Sequence, residues 1–131
     1  MPPQFWQGME HASPDSMPPV LRDAYLVASP APDLARFVDK TKTMMLGARD
    51  LRAEDLRAIQ APVLLMVGDS DVVRPEHEME MFRLLPHARL AVFPGSLHGA
   101  YMGAAETARP GSKQPEMAAA MIEEFLDSPS S

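Results

Sequence analysis

The chain contains no cysteine. That excludes a disulfide framework, a thiolate nucleophile and a zinc–thiolate site together. It also lacks any run of Lys or Arg, and its net charge of −6 argues against a nucleic-acid partner. No apolar stretch approaches the ~20 residues needed to span a bilayer, and no signal-peptide core follows Met1. The expectation is a soluble, cytoplasmic protein with no membrane or nucleic-acid role.

At 131 residues, 46% hydrophobic and 23% charged, the chain is long enough for one domain with a real core. Its 14 prolines mostly punctuate helices, and its 11 methionines favour adaptable packing.

The stretch from Ile59 to Tyr101 organises the rest. Val63–Val67 (VLLMV) is a continuous apolar run bounded by Pro62 and Gly68, which suits a strand buried on both faces. Pro75 opens a helix where its missing N–H costs nothing, and Glu76 and Glu78 favour the positive end of the helix dipole. Met79, Phe82 and Leu85 keep one side of that helix apolar. Pro86 ends it, and Arg89–Phe93 forms a second strand before Pro94-Gly95. Strand, crossover helix and strand should be parallel and right-handed. Asp71 and His98 then both lie beyond carboxyl ends of the sheet, where open α/β folds build their sites.

Neighbouring strands lie about 4.8 Å apart, so loops leaving them can set a carboxylate against an imidazole. A carboxylate on one ring nitrogen fixes the tautomer and stabilises the imidazolium, leaving the other nitrogen as a general base. Gly95 and Gly99 flank His98 and allow the backbone to turn and present the ring.

The segments APVLLMVGDSDVVRPEH and LLPHARLAVFPGSLHGAY resemble the C-terminal part of an α/β-hydrolase, from the strand before the catalytic acid to the catalytic histidine. In that family the order is Ser, then Asp or Glu, then His. The resemblance makes Asp71 the triad acid and His98 the base. It covers about the last seventy residues well and the first sixty only loosely.

Before the organising stretch, residues 1–19 read as a loop carrying Phe5 and Trp6. Leu21, Ala24, Tyr25 and Ala28 recur at helical spacing up to Ser29-Pro30. Leu34, Phe37, Val38, Thr41 and Met45 predict a second helix stopping near Gly47, and residues 53–58 a short third. The resemblance implies lid helices here; a helical layer packing on the sheet is the plain alternative. Beyond His98, residues 101–106 suit a helical turn, 108–115 a polar loop, and 116–127 a last helix lying against the sheet.

Each residue also has a plainer reading. Asp71 would serve as a turn residue before Pro75, and a lone loop histidine is commoner than a catalytic one. The pairing of the two favours the triad. Asp69 reads as a turn aspartate; Asp69-x-Asp71 suits a divalent cation only weakly, since no third carboxylate lies nearby. His77 lacks the second histidine of a zinc-protease helix and reads as a solvated first-turn residue. His87 and His11 read as surface residues, and Met79, Met81, Met117 and Met121 as core.

No G-x-S-x-G occurs in the chain; Ser96 comes closest, after the wrong strand. The resemblance implies that the nucleophile elbow, the oxyanion-hole loop and the first six strands lie N-terminal to Met1. The fold expected is therefore α/β: a partial α/β-hydrolase fold of one parallel βαβ unit with several flanking helices. Residues 1–58 form a helical lid or connecting segment and 59–131 the C-terminal part of the core. The function expected is hydrolysis of an ester, amide or similar bond in a small-molecule substrate, with Asp71 and His98 as acid and base, no cofactor and no metal. The isolated chain is expected to be inactive, and to pair with a second copy or with a missing N-terminal half. The rivals are a non-catalytic interaction or oligomerisation module and, less favoured, a metal-dependent transferase using Asp69 and Asp71.

Overall fold

A computed structural model describes residues 3–128. They form two strands, β1 (Val63–Gly68) and β2 (Ala88–Phe93). Six α-helices accompany them: α1 (Pro3–Glu10), α2 (Pro19–Ala28), α3 (Leu34–Leu46), α4 (Ala53–Arg57), α5 (Pro75–Leu84) and α6 (Gln114–Asp127). Short 3-10 turns cover Pro14–Ser16 and Ala100–Met102. The fold is α/β, with a parallel two-stranded sheet in the register Val63↔Ala88 to Gly68↔Phe93. No helix of the described residues is long and apolar enough to cross a membrane.

The chain divides into two compact units, one ending at Asp50 and one starting at Leu51. Helix α4, expected with the helices before it, packs on α5.

In the first unit, the expected loop at the start of the chain is in fact α1. Pro3 sits in the first turn, where a helix loses nothing by its missing N–H, so it opens the helix. Phe5 and Trp6 stack edge to face at 5.2 Å, both half-buried, and α1 packs on α3. The Asp33 carboxylate caps α3 by accepting the Arg36 N–H at 2.9 Å. Tyr25 ties α2 to that cap: its ring stacks on Phe37 at 4.6 Å and its hydroxyl accepts the Asp33 N–H at 3.0 Å.

In the second unit, Pro62, Gly68, Pro75, Pro86 and Pro94 bound the elements as the sequence reading placed them, within a residue or so. Side chains alternate across a strand, so Leu64, Met66, Arg89, Ala91 and Phe93 share one face. There Ala91, Phe93, Tyr101 and Ala118 of α6 make the core cluster, with Met66 against it. Phe93 and Tyr101 stack at 4.7 Å with their ring planes nearly parallel. The crossover helix α5 packs on both strands.

Two features differ from expectation. Met79, Met117 and Met121 are exposed rather than core, because a sheet of two strands offers too little surface to cover them. The outer edge of β1 is also not wholly bare. The N–H groups of Val63 and Asp69 reach β2, so alternation turns the amide groups of Leu64 and Met66 to the opposite edge. The Tyr101 hydroxyl donates to the Met66 carbonyl there at 2.8 Å.

Candidate active site

β1 ends at Gly68, and the turn Asp69-Ser70 brings the chain to Asp71. The Asp71 N–H returns to the Gly68 carbonyl at 3.3 Å, and its carboxylate accepts the Val73 N–H at 2.9 Å. An Asp side chain bonding the backbone two residues on is a turn-stabilising habit of this residue type, and here it aims the carboxylate. The other loop leaves β2 through Pro94-Gly95. Gly95 and Gly99 both take positive φ, +62° and +69°, so the glycines around His98 do supply the sharp turns expected of them. Thr107 holds the backbone at the ring by donating its hydroxyl to the His98 carbonyl at 2.7 Å.

The two loops bring His98 Nδ1 to 2.9 Å from Asp71 Oδ1. The Asp71 side chain is only 4% exposed, whereas that of His98 is 61% exposed. An ionised carboxylate can only accept, so against it the ring must be the Nδ1–H tautomer, which donates a hydrogen bond to Asp71 Oδ1. Nε2 is left as the basic nitrogen of a ring that is largely exposed. Among the described residues no hydroxyl hydrogen-bonds to Nε2. This arrangement can hold one imidazole tautomer and stabilise its protonated form, which is what a general base needs.

The remaining sequence candidates separate cleanly. Asp69 turns its carboxylate away from His98 and accepts the Gly95 N–H at 2.7 Å and the Ser70 hydroxyl at 3.0 Å. Ser96 is 0% exposed, with only its neighbour's carbonyl near its hydroxyl at 3.4 Å, so it does not present a nucleophile. His77 pairs loosely with Glu80 at 4.0 Å on an exposed face, and His87 and His11 are exposed. Asp69 and Asp71 address different partners, and no group of three His, Cys, Asp or Glu side chains able to hold a metal ion occurs among the described residues.

Two further groups feel the Asp71 charge. Burial raises the Glu78 carboxyl above its ordinary range; the Asp71 charge adds to this, while His77 opposes it. Burial likewise raises the Tyr101 hydroxyl, with the charges of Asp71 and Glu78 acting the same way. In the sequence Glu78 stands out only as a helix-dipole residue and Tyr101 not at all. No local pattern marks either, because their proximity to Asp71 arises from the fold.

A shallow groove of about 230 Å3 lies elsewhere, toward the amino ends of the strands, lined by Leu64, Arg89, Ala91, Met121, Glu124 and Phe125 among others. Arg89 crosses it, stacked 5.6 Å from the Phe125 ring. Compared with models of known protein families and with curated proteins, the chain matches none of them.

Proposed function

We propose that Asp71 and His98 are the acid and base of a Ser–Asp–His triad of α/β-hydrolase type, acting on an ester, amide or similar bond. The observation that carries this reading is the buried carboxylate 2.9 Å from Nδ1 of an exposed imidazole. The chain order supports it: strand, acid, crossover helix, parallel strand, histidine. In the reaction, Nε2 of His98 takes the proton from a serine hydroxyl as that oxygen attacks the substrate carbonyl. It returns the proton to the leaving group, and Asp71 stabilises the imidazolium in between. A water then repeats the sequence on the acyl-enzyme. No cofactor is required for these steps.

The serine and the oxyanion-hole donors come, in this proposal, from residues outside these 131. No G-x-S-x-G occurs in the chain, and Ser96 is shielded. Without those donors the largest single contribution to such catalysis is missing. The isolated chain is therefore expected to hydrolyse p-nitrophenyl esters no faster than a histidine-containing control protein. A fluorophosphonate probe is expected to leave its serines unlabelled. Adding a polypeptide that bears the nucleophile elbow should give turnover, and His98→Ala should then abolish it. Saturable esterase activity from the chain alone, with label on any of its serines, would overturn the reading.

A second reading, a non-catalytic assembly module, draws on a different observation. The open edge of β1 and the exposed apolar residues of the second unit are features that a partner polypeptide covers.

A further inference from the structure

We propose that Asp69 is a positioning residue, whose carboxylate fastens the His98 loop to the Asp71 loop and so maintains the His98–Asp71 contact. This rests on the catalytic reading of that pair for its functional meaning, but its geometry stands by itself.

The two loops meet backbone to backbone beyond the strand ends. The Asp69 N–H continues the sheet ladder by donating to the Phe93 carbonyl at 3.0 Å, and the Ser70 N–H donates to the Ser96 carbonyl at 3.2 Å. A Cβ on Gly68 would lie 2.0 Å from that same Ser96 oxygen, so the approach admits no side chain there. One side chain crosses from the acid loop to the stretch between β2 and His98: the Asp69 carboxylate, accepting the Gly95 N–H at 2.7 Å. Gly95 is the residue whose positive φ begins the turn toward His98. Its N–H points where that turn sends it, off the ladder, and needs an acceptor.

The remaining ties on this turn come from the far side of the chain. Arg109 donates its guanidinium to the Gly95 carbonyl, and Gln114 donates its side-chain amide to the Pro94 carbonyl at 2.8 Å. These hold the turn toward α6 and do not connect it to Asp71. The two aspartates thus divide one task. Asp71 meets the ring, and Asp69, two residues earlier, holds the loop that carries the ring at the distance Asp71 requires. The Ser70 hydroxyl donating to Asp69 at 3.0 Å orients that carboxylate.

The test is solution NMR of the 131-residue chain, so it does not depend on turnover. Imidazole 15N shifts report the His98 tautomer, and amide exchange reports the Gly95 N–H. In the unaltered chain at a pH where His98 is neutral, we expect a single tautomer protonated at Nδ1 and a protected Gly95 amide. Asp69→Ala should mix the tautomers and raise Gly95 exchange at least about tenfold, the loss of one protecting hydrogen bond of roughly 1.4 kcal/mol. Asp69→Asn keeps an acceptor oxygen and should retain both signals.

A folded Asp69→Ala chain with a single Nδ1–H tautomer and an unchanged Gly95 amide overturns the positioning role while leaving the catalytic reading intact. Mixed tautomers in the unaltered chain overturn both. If Asp69→Ala does not fold, Asp69→Asn decides: a folded Asn variant that loses the single tautomer overturns the role, and one that keeps it supports it.

Discussion

Among single residues, the contrast between Asp71 and His98 is the informative one. A buried carboxylate keeps its charge only if its acceptors are used, and Asp71 directs one oxygen to both the Val73 N–H and His98 Nδ1–H. Asp71→Asn preserves the shape but presents either an amide N–H or a carbonyl to the ring, so the imidazole loses its fixed tautomer. If the proposed triad is correct, kcat of the complemented protein should fall by about 10³- to 10⁴-fold with KM little changed, read by steady-state kinetics. Glu78 gives an independent check on the same neighbourhood. Its carboxyl is raised in the fold, chiefly by burial, so the native state holds a proton to higher pH than the unfolded chain. Stability must then fall as pH rises from the ordinary glutamate range through the raised folded value, and the loss is complete above it. Glu78→Gln removes that loss. Urea denaturation from about pH 4 to pH 8 should show the variant more stable than the parent at the upper end and equal to it at the lower. Equal pH slopes for the two proteins would refute the assignment.

At the scale of elements, the loop-to-loop seam beyond β1 and β2 matters more than either loop. Gly68 is required there by space, not by backbone angle. Gly68→Ala places a methyl group against the Ser96 carbonyl and forces the seam apart. We expect a loss of about 1–3 kcal/mol in chemical denaturation, together with loss of the single His98 tautomer. A fully stable Gly68→Ala protein would mean that the seam yields without consequence. How much of this was legible in sequence follows from what sequence encodes locally. The β1–α5–β2 unit could be read because prolines and glycines mark every boundary and the strand run is uniformly apolar. α1 could not, since Pro3 and Gly8 are as common in loops as in a helix held by tertiary packing. The pairing of Asp71 with His98 was legible only as a consequence of parallel strands. Which of two aspartates meets the ring was suggested by resemblance, and the seam held by Asp69 and Gly68 had no local signature. It depends on two backbones approaching across 26 residues of chain.

For the second unit taken whole, the unmet requirement is surface cover. A two-stranded sheet is marginal by itself, and Val92, Leu97, Met117 and Leu126 are all exposed. The two strands are not equally in need. β2 carries Arg89 among its apolar residues, a feature that suits an edge, whereas β1 reads as a buried-type strand with nothing polar between Pro62 and Gly68. Its outward amide groups include the N–H and C=O of Leu64 and the N–H of Met66, which have no partner among the described residues, whereas Tyr101 takes the Met66 carbonyl and Asp71 the Gly68 carbonyl. We therefore expect the outward edge of β1 to pair with a strand from a second copy, or with the nucleophile-bearing polypeptide that the proposed function calls for. Sedimentation of the isolated chain should show self-association that rises with concentration. Leu64→Pro tests the edge selectively. It deletes an N–H that points away from β2, so the existing ladder loses no bond, while an incoming strand loses its partner. The variant should sediment as a monomer at concentrations where the parent associates, with its far-UV circular dichroism retained. A parent that stays a well-folded monomer at high concentration, and gains no stability when the elbow-bearing polypeptide is added, would show that the edge needs no partner. Tyr101 and the groups around it would then have to account for its protection alone.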